Sequence, residues 1–197
     1  MSALGQMDLR QALEVLRAHR RPGDVVVTSM GNAREWMAMG PLDPLDFVFV
    51  PSSMGEAPPL GLGIALAQPS RRVITCNGDG SMLMNLGAFA TIAAEDARNL
   101  VVIVFANGVY EVTGAQRLPT AEAGVDFAGV AAASGVRSVF RFSALDAWTA
   151  EATAALDAPG PTVIVLDVAP VPSAVGPKSP GPTATRGPAF RKALLGK

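Results

Sequence analysis

The chain has 197 residues, of which 49% are hydrophobic and 17% charged, and its formal net charge is −1. This length can bury a substantial core and corresponds to one domain, while the charge leaves no electrostatic footprint for nucleic acid or a membrane surface. No apolar run approaches the roughly 20 residues of a spanning helix. The single cysteine, Cys76, favours a reducing compartment, and the polar N-terminus lacks a signal-peptide core. We therefore expect a cytoplasmic protein.

Apolar runs of strand length alternate with helix-like segments along the chain. An amphipathic helix is predicted from Asp8 to His19, because Asp8 and Gln11 have the spacing of a capping box. The predicted strands are residues 24–29, 46–50, 71–76, 99–106, 136–142 and 161–168, and the other helices are residues 60–68, 82–95, 126–134 and 144–157. Strands that are apolar throughout indicate a sheet buried on both faces. The prediction is an α/β protein with three layers, α/β/α, around a mostly parallel sheet of about six strands.

The last part of the chain has a different composition. Residues 170–187 are rich in Pro, Gly, Ser and Thr, which is typical of an extended segment, and a short helix is predicted near residues 189–195. We therefore divide the chain into a domain of residues 1–170 and a C-terminal arm of residues 171–197.

Polar clusters follow two of the predicted strands. "NGDGS" (residues 77–81) follows one strand, and Asn107-Gly108 follows another, with Asp79 and Asn107 separated by 107 − 79 = 28 positions. Ligands of open parallel α/β sheets bind outside the carboxyl ends of the strands. A carboxylate and an amide oxygen suit Mg²⁺ or Ca²⁺, and the start of the predicted helix of residues 82–95 would favour an anion. These residues predict a metal-bridged diphosphate, although each cluster alone is also a common turn signal.

The stretch "GDGSMLMNLGAFATIA…NLVVIVFANG" resembles the diphosphate-binding motif of thiamine diphosphate (ThDP) enzymes. The resemblance implies that the Asp79 and Asn107 side chains and the Val109 backbone carbonyl bind Mg²⁺. The family usually has Asn at the position of Ala106, which is not a metal ligand. The residues that the resemblance places against the cofactor are Gly31, Asn32, Ser52, Met54, Gly78, Asp79, Gly80, Ser81, Asn107, Val109, Tyr110 and Glu111.

Upstream, "PSSMGEAPPLGLGIALA" (residues 51–67) resembles the Gly-Ser/Thr-Met-Gly segment of the same family. The match implies that Met54 is the bulky residue over which the cofactor bends, and that the Ser52 carbonyl and the Met54 N–H contact the aminopyrimidine. A core methionine is the alternative. Gly61 and Gly63 predict close packing of a helix on the sheet.

Two further segments carry the resemblance. "TSMGNAREW" (residues 28–36) resembles the loop that contacts the diphosphate through Gly31 and Asn32, with a plain strand–turn–helix connection as the alternative. "GVYEVTGAQRLPT" (residues 108–120) resembles sulfopyruvate and phosphonopyruvate decarboxylases but carries two extra residues, 117 and 118. That match implies that Tyr110 and Glu111 line the site near the reactive ring, unless they are solvated loop residues.

In this family the activating glutamate belongs to a second domain, called PYR, and no residue of this chain matches it. The resemblance therefore implies the diphosphate-binding (PP, or β) subunit of a decarboxylase, a carbon–carbon lyase with a small 2-oxo acid substrate, ThDP and Mg²⁺. Such a chain is expected to be inactive alone and to need a PYR (α) subunit in an α2β2 or larger assembly. An acetolactate-synthase-like carboligase subunit and a non-catalytic ThDP-binding module are the alternatives.

Overall fold

The computed structural model describes residues 6–50, 52–119, 124–171 and 176–196. The strands are β1 Val25–Ser29, β2 Asp46–Phe49, β3 Val73–Gly78, β4 Leu100–Ala106, β5 Val109–Tyr110, β6 Gln116–Arg117, β7 Ser138–Phe142 and β8 Thr162–Asp167. Six of them form one sheet in the order β2-β1-β3-β4-β8-β7, and every neighbouring pair is parallel. The short β5 and β6 pair separately as an antiparallel hairpin. The predicted sheet is thereby confirmed.

Helices cover both faces of this sheet. They are α1 Leu9–Ala18, α2 Met30–Ala38, α3 Ala57–Ala67, α4 Asp79–Leu83, α5 Ala88–Glu95, α6 Phe127–Ala133, α7 Leu145–Leu156 and α8 Thr183–Leu194. The first, second and seventh helices pack in one core cluster, while the third, fifth and sixth pack in the other. No helix in the described ranges is long and apolar enough to cross a membrane.

The strand β4 shows why continuous apolar runs form the central layer. Successive side chains of a strand point to opposite faces. Val101, Ile103 and Phe105 accordingly lie in one core cluster, and Leu100, Val102 and Val104 lie in the other. Both sets are almost completely buried, so a polar residue at any of these positions would face an apolar layer.

The helix prediction between β3 and β4 is corrected. The predicted single helix of residues 82–95 is wrong, because α4 already begins at Asp79 and α5 begins only at Ala88. Between them the Asn85 side chain donates to the Gly55 carbonyl at 3.1 Å, and Gly87 disfavours helix at this point. The break thus follows from a contact with a segment thirty positions upstream.

The C-terminal helix is longer than predicted and packs on the edge strand. It begins at Thr183 rather than near residue 189. The Arg186 guanidinium donates to the carbonyls of Val48 and Val50, each at 2.9 Å. The ring centroids of Phe190 and Phe47 are 4.9 Å apart. These contacts cover β2, which is an edge strand of the sheet that the described residues form.

Candidate functional site

A cleft opens at the carboxyl ends of the central strands. After β1 the chain continues to β2 on one side of the sheet, and after β3 it continues to β4 on the other side. The direction of strand order therefore reverses between β1 and β3. Such a switch point leaves a crevice between the connections. Of the twelve residues predicted to contact a cofactor, eleven line this cleft: Gly31, Asn32, Met54, Gly78, Asp79, Gly80, Ser81, Asn107, Val109, Tyr110 and Glu111. The twelfth, Ser52, instead approaches the cleft-lining Met30, with its Oγ 3.4 Å from the Met30 Sδ.

Asp79 is the buried carboxylate of the cleft, with only 3% of its surface exposed. Its Oδ1 accepts from the backbone N–H of Gly80 and its Oδ2 from that of Gly108, both at 2.7 Å. The second bond joins the end of β3 to the end of β4. Burial raises the pKa of Asp79, against the lowering effect of the N–H groups of Gly108 and Gly80. No cationic side chain of the described residues forms a salt bridge with it.

Asn107 stands at the end of β4, and both ends of its amide are bonded. Its Oδ1 accepts from the Val109 N–H at 3.0 Å, and its Nδ2 donates to Glu111 Oε1 at 2.9 Å. The first contact is an Asx turn, in which the side chain closes a local turn of the backbone. It also sets the orientation of the peptide groups that follow Asn107.

Glu111 is half-buried and contacts other residues rather than open space. Its Oε1 also accepts from the Val171 N–H at 2.6 Å. Burial raises the pKa of Glu111, and the nearby negative charges of Asp79 and Glu35 act in the same direction, while the donors Val171 and Asn107 lower it. The alternative of a solvated loop residue does not fit this environment.

The prediction that the start of a long helix favours an anion needs correction. Gly80 and Ser81 lie in the first turn of α4, which has only five residues, so few peptide dipoles align there. The Gly80 N–H is already bonded to Asp79. Ser81 Oγ accepts from the Gly55 N–H at 2.8 Å, which ties α4 to the segment that carries Met54. Any anion affinity must therefore come from local donors and a cation rather than from a long helix.

The expected loop after β1 is a helix. α2 begins at Met30, immediately after the strand, so Gly31 and Asn32 lie in its first turn. Met30 has φ 53°, a left-handed conformation that is strained for a residue other than glycine. This residue turns the chain from strand to helix without a loop. Met30 also lines the cleft, and nothing in the identity of a methionine signals either role from the sequence.

The hairpin of β5 and β6 was also absent from the prediction. It folds the segment after Asn107 back, so that the Leu118 N–H donates to the Gly108 carbonyl at 2.9 Å and Leu118 is buried. A side-chain carbon placed on Gly80 would lie 2.6 Å from the Tyr110 ring and 3.1 Å from Leu118 Cδ2. The turn signal at Gly114, with φ 119°, could have indicated this hairpin. Pro51 and Thr120 of the quoted motifs lie outside the described residues.

The donor set of the cleft suits one type of metal site. No group of three or more His, Cys, Asp or Glu side chains that could hold a metal occurs within the described ranges. The donors that the ends of β3 and β4 present are the Asp79 carboxylate, the Asn107 amide oxygen and backbone carbonyls, all of them hard oxygen ligands. Beside them, a side-chain carbon on Gly78 would meet nothing within 4 Å. These features fit a Mg²⁺ ion that completes its shell with oxygens of a phosphorylated ligand.

Comparisons with known proteins agree with this geometry. Residues 24–166 match the family model described as thiamine pyrophosphate enzyme, C-terminal TPP binding domain. The chain is 41% identical over 160 residues to the phosphonopyruvate decarboxylase of Streptomyces hygroscopicus, covering 81% of this chain and 39% of that protein. It is 42% identical over 107 residues to the sulfopyruvate decarboxylase subunit beta of Methanothermobacter thermautotrophicus, covering 54% of this chain and 55% of that subunit.

Solved structures show the same fold. One is a putative thiamin diphosphate-dependent enzyme from Mycobacterium smegmatis, with a TM-score of 0.71 and 26% identity over 83% of this chain and 32% of that chain. Another is the thiamine diphosphate-dependent 4-hydroxybenzoylformate decarboxylase of Rhodococcus jostii RHA1, with a TM-score of 0.72 and 24% identity over 88% of this chain and 34% of that chain. The chain belongs to the C-terminal TPP-binding domain family of the thiamine pyrophosphate enzymes.

Proposed function

We propose that the chain is the PP (β) subunit of a ThDP- and Mg²⁺-dependent 2-oxo acid decarboxylase of the phosphonopyruvate and sulfopyruvate type. The names of the two relatives support the reaction, and the family match supports the cofactor. The chain spans only 39% of the first relative and 55% of the second. The observation that carries the proposal is the meeting of the β3 and β4 ends, where Gly108 donates to the buried Asp79.

Three oxygen donors would hold the cation. These are the Asp79 carboxylate, the Asn107 Oδ1 and the Val109 carbonyl, which all line the same cleft. The diphosphate would lie beside Gly78, where the space for a side chain is empty, with Gly80, Ser81, Gly31 and Asn32 around it. Met54 would support the bend of the cofactor. It lies in the segment that the bond from the Gly55 N–H to Ser81 Oγ ties to α4, and Ser52 lies in the same segment.

When bound, ThDP supplies the electron sink for decarboxylation. The residues of this chain bind and orient it: Asp79, buried and without a cationic partner among the described side chains, presents a negative charge to the metal in a poorly solvated site. The two carboxylates that line the described part of the cleft, Asp79 and Glu111, already accept N–H donors. An activating glutamate would therefore come from a PYR (α) subunit, in an α2β2 or larger assembly that receives a small 2-oxo acid.

Calorimetry with ThDP and Mg²⁺ tests the cofactor part of this proposal. The wild-type chain is expected to bind ThDP in a Mg²⁺-dependent manner, and Asp79→Ala is expected to lose that dependence. Asp146→Ala removes an exposed carboxylate at the start of α7 and should bind as the wild type does. Unchanged affinity in Asp79→Ala would contradict the metal bridge.

Assays of CO₂ release test the subunit part. The purified chain is expected to be inactive on phosphonopyruvate and sulfopyruvate with ThDP and Mg²⁺, and to become active when a PYR-domain chain is added. Decarboxylation by the chain alone at an appreciable rate would refute the need for a partner, while leaving the cofactor site intact.

A further inference from the structure

The amide of Asn107 poses a problem of orientation. An asparagine side chain presents either its oxygen or its NH₂ group to a given neighbour, and the two have nearly the same size. Only the oxygen can bind a cation. A metal site that uses Asn107 therefore needs a contact that holds the NH₂ group on the other side.

Glu111 provides this contact through one oxygen atom. Its Oε1 accepts from the Val171 N–H at 2.6 Å and faces the Asn107 amide at 2.9 Å. Because Oε1 accepts the Val171 N–H, it is the acceptor oxygen of the carboxyl group, and a proton on the neutral group would be carried by Oε2. The amide group that faces it must be the donor, so Nδ2 points to Glu111. The amide oxygen then points away, towards the Val109 N–H at 3.0 Å.

Parts of the fold that are distant in sequence hold the Glu111 carboxyl group in place. Val171 follows β8, and its N–H bonds Glu111 across sixty sequence positions. On the other side lies Gly31 of α2, where a side-chain carbon would be 2.9 Å from Glu111 Oε2. Because an alanine at position 31 would crowd this oxygen, the glycine allows the carboxyl group its present position.

We propose that Glu111 is a positioning residue: it orients the Asn107 amide so that Oδ1 faces the cation of the cofactor site, rather than contacting the reactive ring as the sequence comparison implied. The cation itself rests on the proposed function, whereas the orientation of the amide does not. Residues that orient metal ligands in this way typically change metal affinity about 10–100-fold when they are replaced.

The orientation can be measured in the metal-free protein by NMR. The chain has five asparagines, so labelling with ¹⁵N-asparagine gives five side-chain NH₂ pairs, and Asn107→Asp identifies the pair of residue 107. One proton of that pair is expected to resonate downfield because of its bond to Glu111. Glu111→Ala should abolish the shift, and Glu111→Gln should retain it, since the glutamine oxygen can accept from the same two donors. An unshifted pair in the wild type would overturn the inference.

Metal affinity then separates positioning from direct ligation. With Mg²⁺ and ThDP, Glu111→Ala is expected to weaken Mg²⁺ binding about 10–100-fold, while Glu111→Gln stays close to the wild type. A ligand, or a residue that acts through its charge, would lose as much affinity in Glu111→Gln as in Glu111→Ala, and this result would overturn the proposal. Glu95→Gln, an exposed position at the end of α5, is the matched control.

The double variant Asn107→Asp with Glu111→Ala gives the second check. A carboxylate at position 107 offers oxygen on both sides, so Glu111→Ala should no longer weaken binding in that background. A loss of the same size there would mean that Glu111→Ala disrupts the site generally, and would refute positioning. If the wild type shows no Mg²⁺-dependent ThDP binding, the proposed function fails and the metal-directed role falls with it; if only the Glu111 variants behave unexpectedly, the proposed function stands.

Discussion

Alanine substitutions at the two glycines of the Gly78-Asp79-Gly80 motif are expected to change the stability of the protein in opposite directions. Gly78 has φ −81° and ψ 156°, which any residue can adopt, and a side-chain carbon there meets nothing within 4 Å. Gly78→Ala should therefore stabilise the metal-free protein by about 0.4–1 kcal/mol, since it restricts the unfolded chain.

At Gly80 the same carbon would lie 2.6 Å from two ring carbons of Tyr110. Carbon atoms normally approach to about 3.5–4.0 Å, so the ring must retreat by about 1 Å. Overpacking of this kind costs about 1–3 kcal/mol, and the better helix propensity of alanine offsets about 1 kcal/mol of it. The net loss of up to about 2 kcal/mol should lower Tm by up to about 8 °C.

Thermal and urea unfolding of the two variants provide the assay. In a Tyr110→Ala background, Gly80→Ala should lose most of its penalty. If Gly80→Ala stabilises the protein as much as Gly78→Ala does, the ring does not pack against Gly80 and the reasoning is wrong. ThDP calorimetry adds a functional contrast: Gly78→Ala is expected to bind ThDP more weakly although it is more stable, because its methyl group would occupy the space proposed for the diphosphate.

Three further outcomes can be measured. Gly61→Ala should destabilise the fold by up to about 2 kcal/mol, since overpacking costs about 1–3 kcal/mol and the helix propensity of alanine offsets about 1 kcal/mol. Its methyl group would lie 2.0 Å from the Thr75 methyl carbon, and Thr75→Ser should relieve this clash. Gly63→Ala, with nothing within 4 Å, should instead raise Tm. Arg186→Ala removes the donors to the carbonyls of Val48 and Val50, so hydrogen exchange in α8 should rise while the central strands stay protected. Because burial raises the pKa of Asp79, protons should begin to compete with Mn²⁺ for its carboxylate at a pH above the usual pKa range of aspartate. Mn²⁺ affinity at fixed ThDP, corrected for protonation of the free cofactor, should then fall about tenfold per pH unit below that pKa; constant affinity down to about pH 4 would contradict the burial argument.

The local patterns of the sequence predicted most elements and failed where a distant contact decides. The strands follow from apolar runs, and Asp8 caps α1 as expected, with its Oδ1 accepting from the Gln11 N–H at 3.0 Å. The break between α4 and α5 depends on the Asn85 bond to Gly55, which no helical periodicity contains. Gly63 has the same local setting as Gly61, yet only Gly61 packs against β3. The difference is which face of α3 meets the sheet.

The sequence by itself determined the α/β class, the family resemblance and the chemistry available at two strand ends, because hydrophobic periodicity and residue type are local properties of the chain. Only the tertiary structure decided which side chains meet. The strand order places the ends of β3 and β4 side by side, so that Gly108 donates to Asp79. It also brings Val171, sixty positions away, to Glu111, and thereby turns a residue expected near the reactive ring towards Asn107. Partners at such separations depend on the packing of the whole sheet, which no short stretch of sequence specifies.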